Sequence, residues 1–225
     1  MLINLMRAIR AKIRVFLGLG ALGVIPKWYI SMYLPKNPII LEAGACFGED
    51  SVEMAKLWTN SKIYAFEPIN ETYKKLKQNT NSCKNIFCYN LALSDHNGIT
   101  KMFVGGDSSS ILKPKEHHKF YPEVTFDTTQ KVETLTLDSW AEKNNVKKID
   151  FLWLDMQGAE LKVLKASKKI LKTVKVIYTE VSLVEYYEGT PKYYELRTWL
   201  ESKGFRVVRE EIPSLYGGNV LFVKR

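Results

Sequence analysis

Apolar residues occur along this chain as short solid runs, and between the runs they recur three and four positions apart. The runs are Ile39-Ile40-Leu41, Ile63-Tyr64-Ala65-Phe66, Ile86 to Leu93, Phe151-Leu152-Trp153-Leu154 and Val176 to Val181. A solid run has no solvated face, so each predicts a strand covered on both sides. Helical spacing lies between them: Val52, Ala55 and Leu57-Trp58, then Tyr73 and Leu76, then Leu161, Val163 and Leu164, then Tyr194, Leu196, Trp199 and Leu200. Asn70 is the expected cap of the second of these helices. Asp138-Ser139 is expected to cap a further short one through Lys143, and Pro191 and Gly204 to bound the last. Ile99 to Val104 and the alternating Lys131 to Leu137 predict two more strands. Phe205 to Arg209 and Asn219 to Val223 predict a final pair, whose connecting loop suits an antiparallel hairpin. Alternating strands and helices predict an open, mostly parallel α/β sheet with helices on both faces and an antiparallel C-terminal pair. From Gly105 to Gln130 the pattern fails; so long an irregular stretch usually binds something.

Four of the strands end in a carboxylate: Glu42, Glu67, Asp155 and Glu180. Ligands of such sheets sit beyond the carboxyl ends of the strands, so the four acids are expected at one rim. Like charges gathered there disfavour the charged forms unless a cation or hydroxyl groups answer them. The turn after the first strand reads Glu42-Ala43-Gly44-Ala45-Cys46-Phe47-Gly48. A dinucleotide turn would place a second glycine where Cys46 stands. Glu42 and the Glu49-Asp50 pair would also repel a pyrophosphate. A ligand with an ammonium, a sulfonium and a ribose suits the turn better, which describes S-adenosylmethionine. Glu67 is placed to accept from both ribose hydroxyls.

Apolar content of 46% and charged content of 25% are those of a soluble globular protein. The three cysteines, Cys46, Cys83 and Cys88, form no Cys-x-x-Cys pair and have no histidine at ligand spacing, so reduced thiols in the cytoplasm and no metal site are expected. The net charge is +9, and residues 1–36 hold Arg7, Arg10, Lys12, Arg14, Lys27 and Lys36 without one acid. That segment reads as a basic amphipathic helical extension ahead of a domain over 37–225. Its uncharged run, Val15 to Ile25, is far short of the about 20 residues that cross a bilayer as a helix. A helical cap on the domain, an interfacial helix at an anionic membrane surface and a signal peptide all fit this pattern.

These motifs resemble those of the FkbM family of S-adenosylmethionine-dependent methyltransferases. Leu41 to Gly48 is similar to its first cofactor motif, Ala65-Phe66-Glu67-Pro68 to its second, and Asn90 to Asp95 to the motif after the third strand. Val132 to Ser139 and Ile149 to Lys165 extend the likeness, which covers about residues 38–224. The resemblance implies a Rossmann-like seven-stranded methyltransferase sheet and O-methylation, often of sugars or natural products. It also implies cofactor contacts from Glu42, Gly44, Ala45 and Gly48 to the methionine part, from Glu67 to ribose, and from Ala92 and Leu93 near adenine. The chain departs from the family at Gln157, where Asp-x-Glu-Gly-Ala-Glu is usual; the amide keeps the shape and loses the charge.

Methyl transfer to a hydroxyl needs alignment, exclusion of water and a base for the leaving proton. By position the base is Asp155, with His117 and His118 in the irregular stretch as the other candidates. A hydroxyl of a small molecule or glycan is the expected acceptor, and no specific nucleic-acid partner is expected. Three other readings compete: an RNA methyltransferase on the same fold, supported by the loop lysines; a nucleotide-dependent oxidoreductase; and a membrane-binding module without catalysis.

Overall fold

The computed structural model describes residues 23–225. In chain order its helices are α1 (Lys27–Ser31), α2 (Glu49–Leu57), α3 (Asn70–Asn79), α4 (His117–Phe120), α5 (Leu137–Lys143), α6 (Glu160–Ala166) and α7 (Tyr193–Ser202). The strands are β1 (Ile39–Ala43), β2 (Lys62–Phe66), β3 (Ile86–Tyr89), β4 (Ala92–Leu93), β5 (Gly98–Val104), β6 (Thr128–Leu135), β7 (Phe151–Leu154), β8 (Val176–Ser182), β9 (Phe205–Glu211) and β10 (Gly217–Lys224). Seven of them form one sheet in the order β3-β2-β1-β7-β8-β10-β9. The first five run parallel, and β10 is antiparallel to both neighbours. The chain leaves β1 toward one edge and returns through β7 to the other side. The crevice above β1 and β7 is therefore the topological switch point, where such sheets bind ligands.

The solid runs are explained by two cores. Leu41, Leu152, Leu154 and Ile177 face one side, where they meet Trp140 of α5, Leu161 and Leu164 of α6, and Leu196 and Leu200 of α7. Ile40, Phe151, Trp153, Val176 and Tyr178 face the other, against Met54 and Ala55 of α2. That second core is completed by Ile25 and Ile30, both fully buried, with Tyr29, Tyr33 and Leu34 packed alongside. Asn219 Nδ2 also donates to the Gly23 carbonyl at 2.7 Å. Residues 23–34, expected ahead of the domain, thus pack on this face of the sheet together with α2. The amphipathic pattern from Leu2 to Phe16 lies outside the described residues.

Three further details differ from the sequence reading. The run from Ile86 to Leu93 breaks at Asn90-Leu91, because Asn90 Nδ2 donates to the carbonyls of Glu67 and Pro68, both at 3.0 Å. Its first half, β3, is an edge strand with Phe87 exposed, while β4 joins a second sheet ordered β4-β6-β5. Thr136 rather than Asp138 caps α5, accepting from Ser139 N at 3.1 Å. Asp138 instead accepts from Lys169 N and Ile170 N at 2.8 Å, ordering the turn before β8. Asn70 is the first residue of α3, and the flanking position is Ile69.

Candidate active site

The turn after β1 is shaped by one close approach. Gly44 has φ +85°, and a Cβ there would stand 1.8 Å from the Asp155 carbonyl oxygen. No side chain fits, which holds the β1 turn against the end of β7. Glu42 precedes it, 2% exposed, accepting from the Ser51 hydroxyl. Burial pushes its carboxyl up to about 8, opposed by the Ser51 hydrogen bond and reinforced by Asp50. Cys46 carries a side chain in the left-handed region at φ +46°, a conformation that costs energy outside glycine. Its backbone N–H donates to Glu67 Oε2 at 3.2 Å, and its thiol lies 3.4 Å from Asp107 Oδ1. Burial, with Asp107 beside it, pushes that thiol up to about 12, so it stays neutral.

Glu67, at the tip of β2, is 6% exposed. Its carboxylate is fixed by the N–H of Ile69 on Oε1, at 2.8 Å, and by that of Cys46 on Oε2. Burial pushes it up to about 7, and the two N–H groups pull the other way. Each oxygen keeps a lone pair free, which is what two vicinal hydroxyls require.

Asp155 ends β7 and opens into the cleft. The Gln157 side-chain amide donates to Asp155 Oδ1 at 2.8 Å and to Glu180 Oε2 at 2.9 Å, tying two strand tips together. Burial raises both carboxyls, and the hydrogen bond between them favours the proton on Glu180 and the charge on Asp155. Gln157 is held at φ +52°. Ser110 Oγ donates to its carbonyl at 2.8 Å. The Tyr187 hydroxyl, 2.6 Å from the Ser108 carbonyl and 3.1 Å from Gln157 Oε1, shares its proton between them. Glu160, the last acid of this motif, is spent on the backbone. Its Oε1 accepts from Met156 N at 2.7 Å and from Gly158 N at 3.4 Å.

These groups surround a cleft of ≈ 370 Å³ to which Glu42, Gly44, Ala45, Glu67, Ala92, Leu93 and Asp155 all contribute. Gly48 does not line it. At φ +89° it starts α2, and a Cβ there would meet Leu76 Cδ1 at 2.7 Å, so it serves the packing of α2 on α3. The histidines are elsewhere too. His117 is 2% exposed inside a ring of Tyr121, Phe126, Tyr186 and Tyr187, with centroids 5.1 to 5.8 Å away, and burial lowers its pKa. His118 is exposed. Neither reaches the cleft, because the helix that carries them docks on residues 185–188 instead; Lys115 N and His117 N both donate to the Tyr186 carbonyl. What the irregular stretch does bring to the cleft is Gly106, Asp107, Ser109 and Ile111. Only the turn chemistry of Gly105-Gly106-Asp107 hinted at this.

The lining includes six acids (Glu42, Glu49, Asp50, Glu67, Asp107 and Asp155) and no lysine, arginine or histidine. A phosphate-bearing dinucleotide would meet these acids with no cationic side chain among the lining residues to answer its charge. S-adenosylmethionine fits: acids for its cationic end, Glu67 for the ribose, and Leu91, Leu93, Met102 and Ile111 as apolar cover for the base.

The model of the methyltransferase FkbM domain matches residues 42–207. The 2-O-methyltransferase NoeI of Sinorhizobium fredii is 32% identical over 169 residues, covering 71% of this chain and 70% of that protein. Methyltransferase sdnD of Sordaria araneosa is 28% identical over 204 residues, with 79% and 77% covered. The crystal structure of the methyltransferase FkbM from Methylobacillus flagellatus superposes with a TM-score of 0.54 at 13% identity over 84% of this chain, a likeness of fold. This chain spans 44% of that one.

Proposed function

Since this chain belongs to the FkbM family of S-adenosylmethionine-dependent methyltransferases, we propose that it methylates a hydroxyl of a sugar or similar small molecule, with Asp155 as the base. The observation that carries the assignment is the array at the cleft floor, where Gln157 joins Asp155 to Glu180. Bound S-adenosylmethionine supplies an electrophilic methyl on a sulfonium whose leaving group is a neutral thioether. Glu67 holds the ribose; Glu42, Asp50 and the turn at Gly44 hold the amino-acid end. Asp155 accepts the acceptor's proton. Desolvation in the cleft raises its pKa and so makes it more basic than a free carboxylate, and the hydrogen bonds from Gln157 and Glu180 oppose that rise. The name of the Sinorhizobium relative favours an oxygen acceptor.

The test is mass spectrometry of products from a panel of hydroxyl acceptors. Asp155→Asn keeps the size and removes the basicity, so turnover falls by about 10²–10⁴. Donor affinity, read separately by calorimetry, stays within about tenfold. Full activity in the variant would remove Asp155 from the role, and methylation confined to RNA would overturn the acceptor class.

The proposed place of action is the cytoplasm, with contact at an anionic membrane. Residues 1–22 carry Arg7, Arg10, Lys12 and Arg14 and no acid. Each basic residue near such a surface contributes about 1 kcal/mol. Replacing the four by glutamine should abolish co-sedimentation with anionic liposomes at low salt; equal pelleting of both forms would sink this part.

A further inference from the structure

The irregular stretch and the segment after β8 build a second feature outside the cleft, joined to it where Tyr187 meets Gln157. Tyr186 and Tyr187 are adjacent, and both rings flank His117. Tyr187 is buried, with its hydroxyl against Gln157. Tyr186 is half-buried in a group of rings: Phe120 lies 5.4 Å from it, Tyr121 5.9 Å, and Tyr216 lies 4.5 Å from Phe120, tilted 48° to it. Tyr121 and Tyr216 are 43% and 41% exposed. The rings come from three separate parts of the chain. Leu183 N donates to the Tyr216 carbonyl at 2.8 Å, which brings the β9–β10 loop to the end of β8. None of the four rings belongs to either of the two sheet cores.

We infer that Phe120, Tyr121, Tyr186 and Tyr216 form a platform for the distal units of a neutral oligosaccharide acceptor, a claim that rests on the hydroxyl-acceptor reading above. Charge argues for a neutral ligand. The three lysines between residues 105 and 130 are each paired: Lys113 with Glu188 at 2.8 Å, Lys115 with Glu185 at 2.6 Å and Lys119 with Glu116 at 2.9 Å. Their charges are matched by these neighbouring acids, so the three lysines give the surface beside the platform no excess of positive charge. Chemistry argues for a saccharide. Aromatic faces pack on the C–H faces of pyranose rings, and three of the four rings carry a hydroxyl for the sugar's own. Position argues for length. None of the four rings lines the cleft that holds Asp155, and contacts run from Asp155 through Gln157, Tyr187 and His117 to Tyr186, so the rings serve units beyond the one at Asp155. The acceptor has to be a chain with its methylated unit at Asp155 and its remaining units across the rings.

The experiment measures binding of a ladder of neutral oligosaccharides, from monosaccharide to pentasaccharide, to the full chain by calorimetry without donor. Methyl transfer to the same ladder is followed in parallel. Wild-type affinity should rise with length. Phe120→Ala and Tyr216→Ala should each weaken the longest ligand by about 3- to 10-fold and leave the monosaccharide unchanged. Tyr216→Phe keeps the ring and should stay within about twofold of wild type. Tyr216 is exposed and Phe120 half-buried, and circular dichroism confirms that the variants fold. Affinity independent of length, or Ala variants that bind as wild type, would overturn the platform. So would variants that change self-association rather than sugar binding. If short hydroxyl acceptors are methylated with no effect of length, the platform alone falls. If saccharides bind by length and none is methylated, the platform stands and the hydroxyl-acceptor reading falls.

Discussion

Gly44 and Glu67 show how little of the proposed donor site is left to choice. The Asp155 carbonyl occupies the space a Cβ would need at Gly44. Gly44→Ala should therefore abolish donor binding and lower the melting temperature, while Gly48→Ala, at a position outside the cleft, should mainly affect stability. Glu67 presents two oxygens already oriented by backbone N–H groups. Glu67→Gln replaces one acceptor by a donor, so S-adenosylmethionine affinity should fall by about 10- to 100-fold in calorimetry, the effect of losing a charged hydrogen bond of about 1.5–3 kcal/mol. Wild-type affinity should also rise with pH through about 7, where Glu67 ionises. An affinity flat from pH 6 to 8 would dissociate the ribose from this carboxyl. Glu42, Glu67 and Asp155 were legible from sequence because each ends an apolar run. Asp107 and Tyr187 were not: they reach Cys46 and Gln157 across 61 and 30 residues, and no local pattern encodes such a contact. His117 misled because adjacent histidines suggest chemistry, whereas burial among four rings makes this one a packing residue.

At the scale of elements, strands filling two cores were readable because solid apolar runs admit few other structures. The failures occurred where tertiary partners override local signals. Asn90 divides β3 from β4 by hydrogen bonds to residues 22 and 23 positions away. The segment before β1 looked like an appendage because its charge and hydropathy set it apart, yet α1 is part of the fold. Lys27, 7% exposed, meets Asp50 at 2.5 Å and Glu53 at 2.6 Å and lies 4.8 Å over the Trp153 ring. Asp50 lines the cleft, so α1 also braces the donor site. Ile30→Ala should cost about 2–5 kcal/mol in denaturant unfolding, the range for truncating a buried isoleucine. Lys27→Met keeps the aliphatic volume and removes the charge. With Asp50 and Glu53 open to water it should cost only about 1–2 kcal/mol. A truncation ending at residue 34 should fail to fold. Wild-type stability in that truncation would return these residues to the status of an extension.

For the whole molecule, the concentration of acids at one rim makes stability depend on pH in an unusual direction. Glu42, Glu67 and Glu160 are held up at about 8, 7 and 7 by burial, and Asp155 and Glu180 are raised as well. In the unfolded chain such groups ionise near 4. Between about pH 4 and 8 the folded state therefore binds more protons than the unfolded state, and stability falls as pH rises. Buried His117, whose pKa is lowered, works the other way as pH rises through about 6.5, one group against several, and the ion-paired Asp95, also lowered, does so only at about pH 4. Self-repulsion from the net charge of +9 is also relieved as pH rises, but it is screened within about 8 Å at physiological salt and acts weakly on a buried cluster. The ligand-free protein should thus melt at a lower temperature at pH 8 than at pH 6. Glu42→Gln, which keeps an acceptor for Ser51, should flatten that slope and raise stability at pH 8. S-adenosylmethionine brings positive charge to the same rim, so its thermal shift should be larger at pH 8 than at pH 6. A ligand-free melting temperature that rises over this interval at physiological salt would show that the rim carboxyls are ionised without penalty. The acid-lined cleft would then not be a site held in wait for a cation.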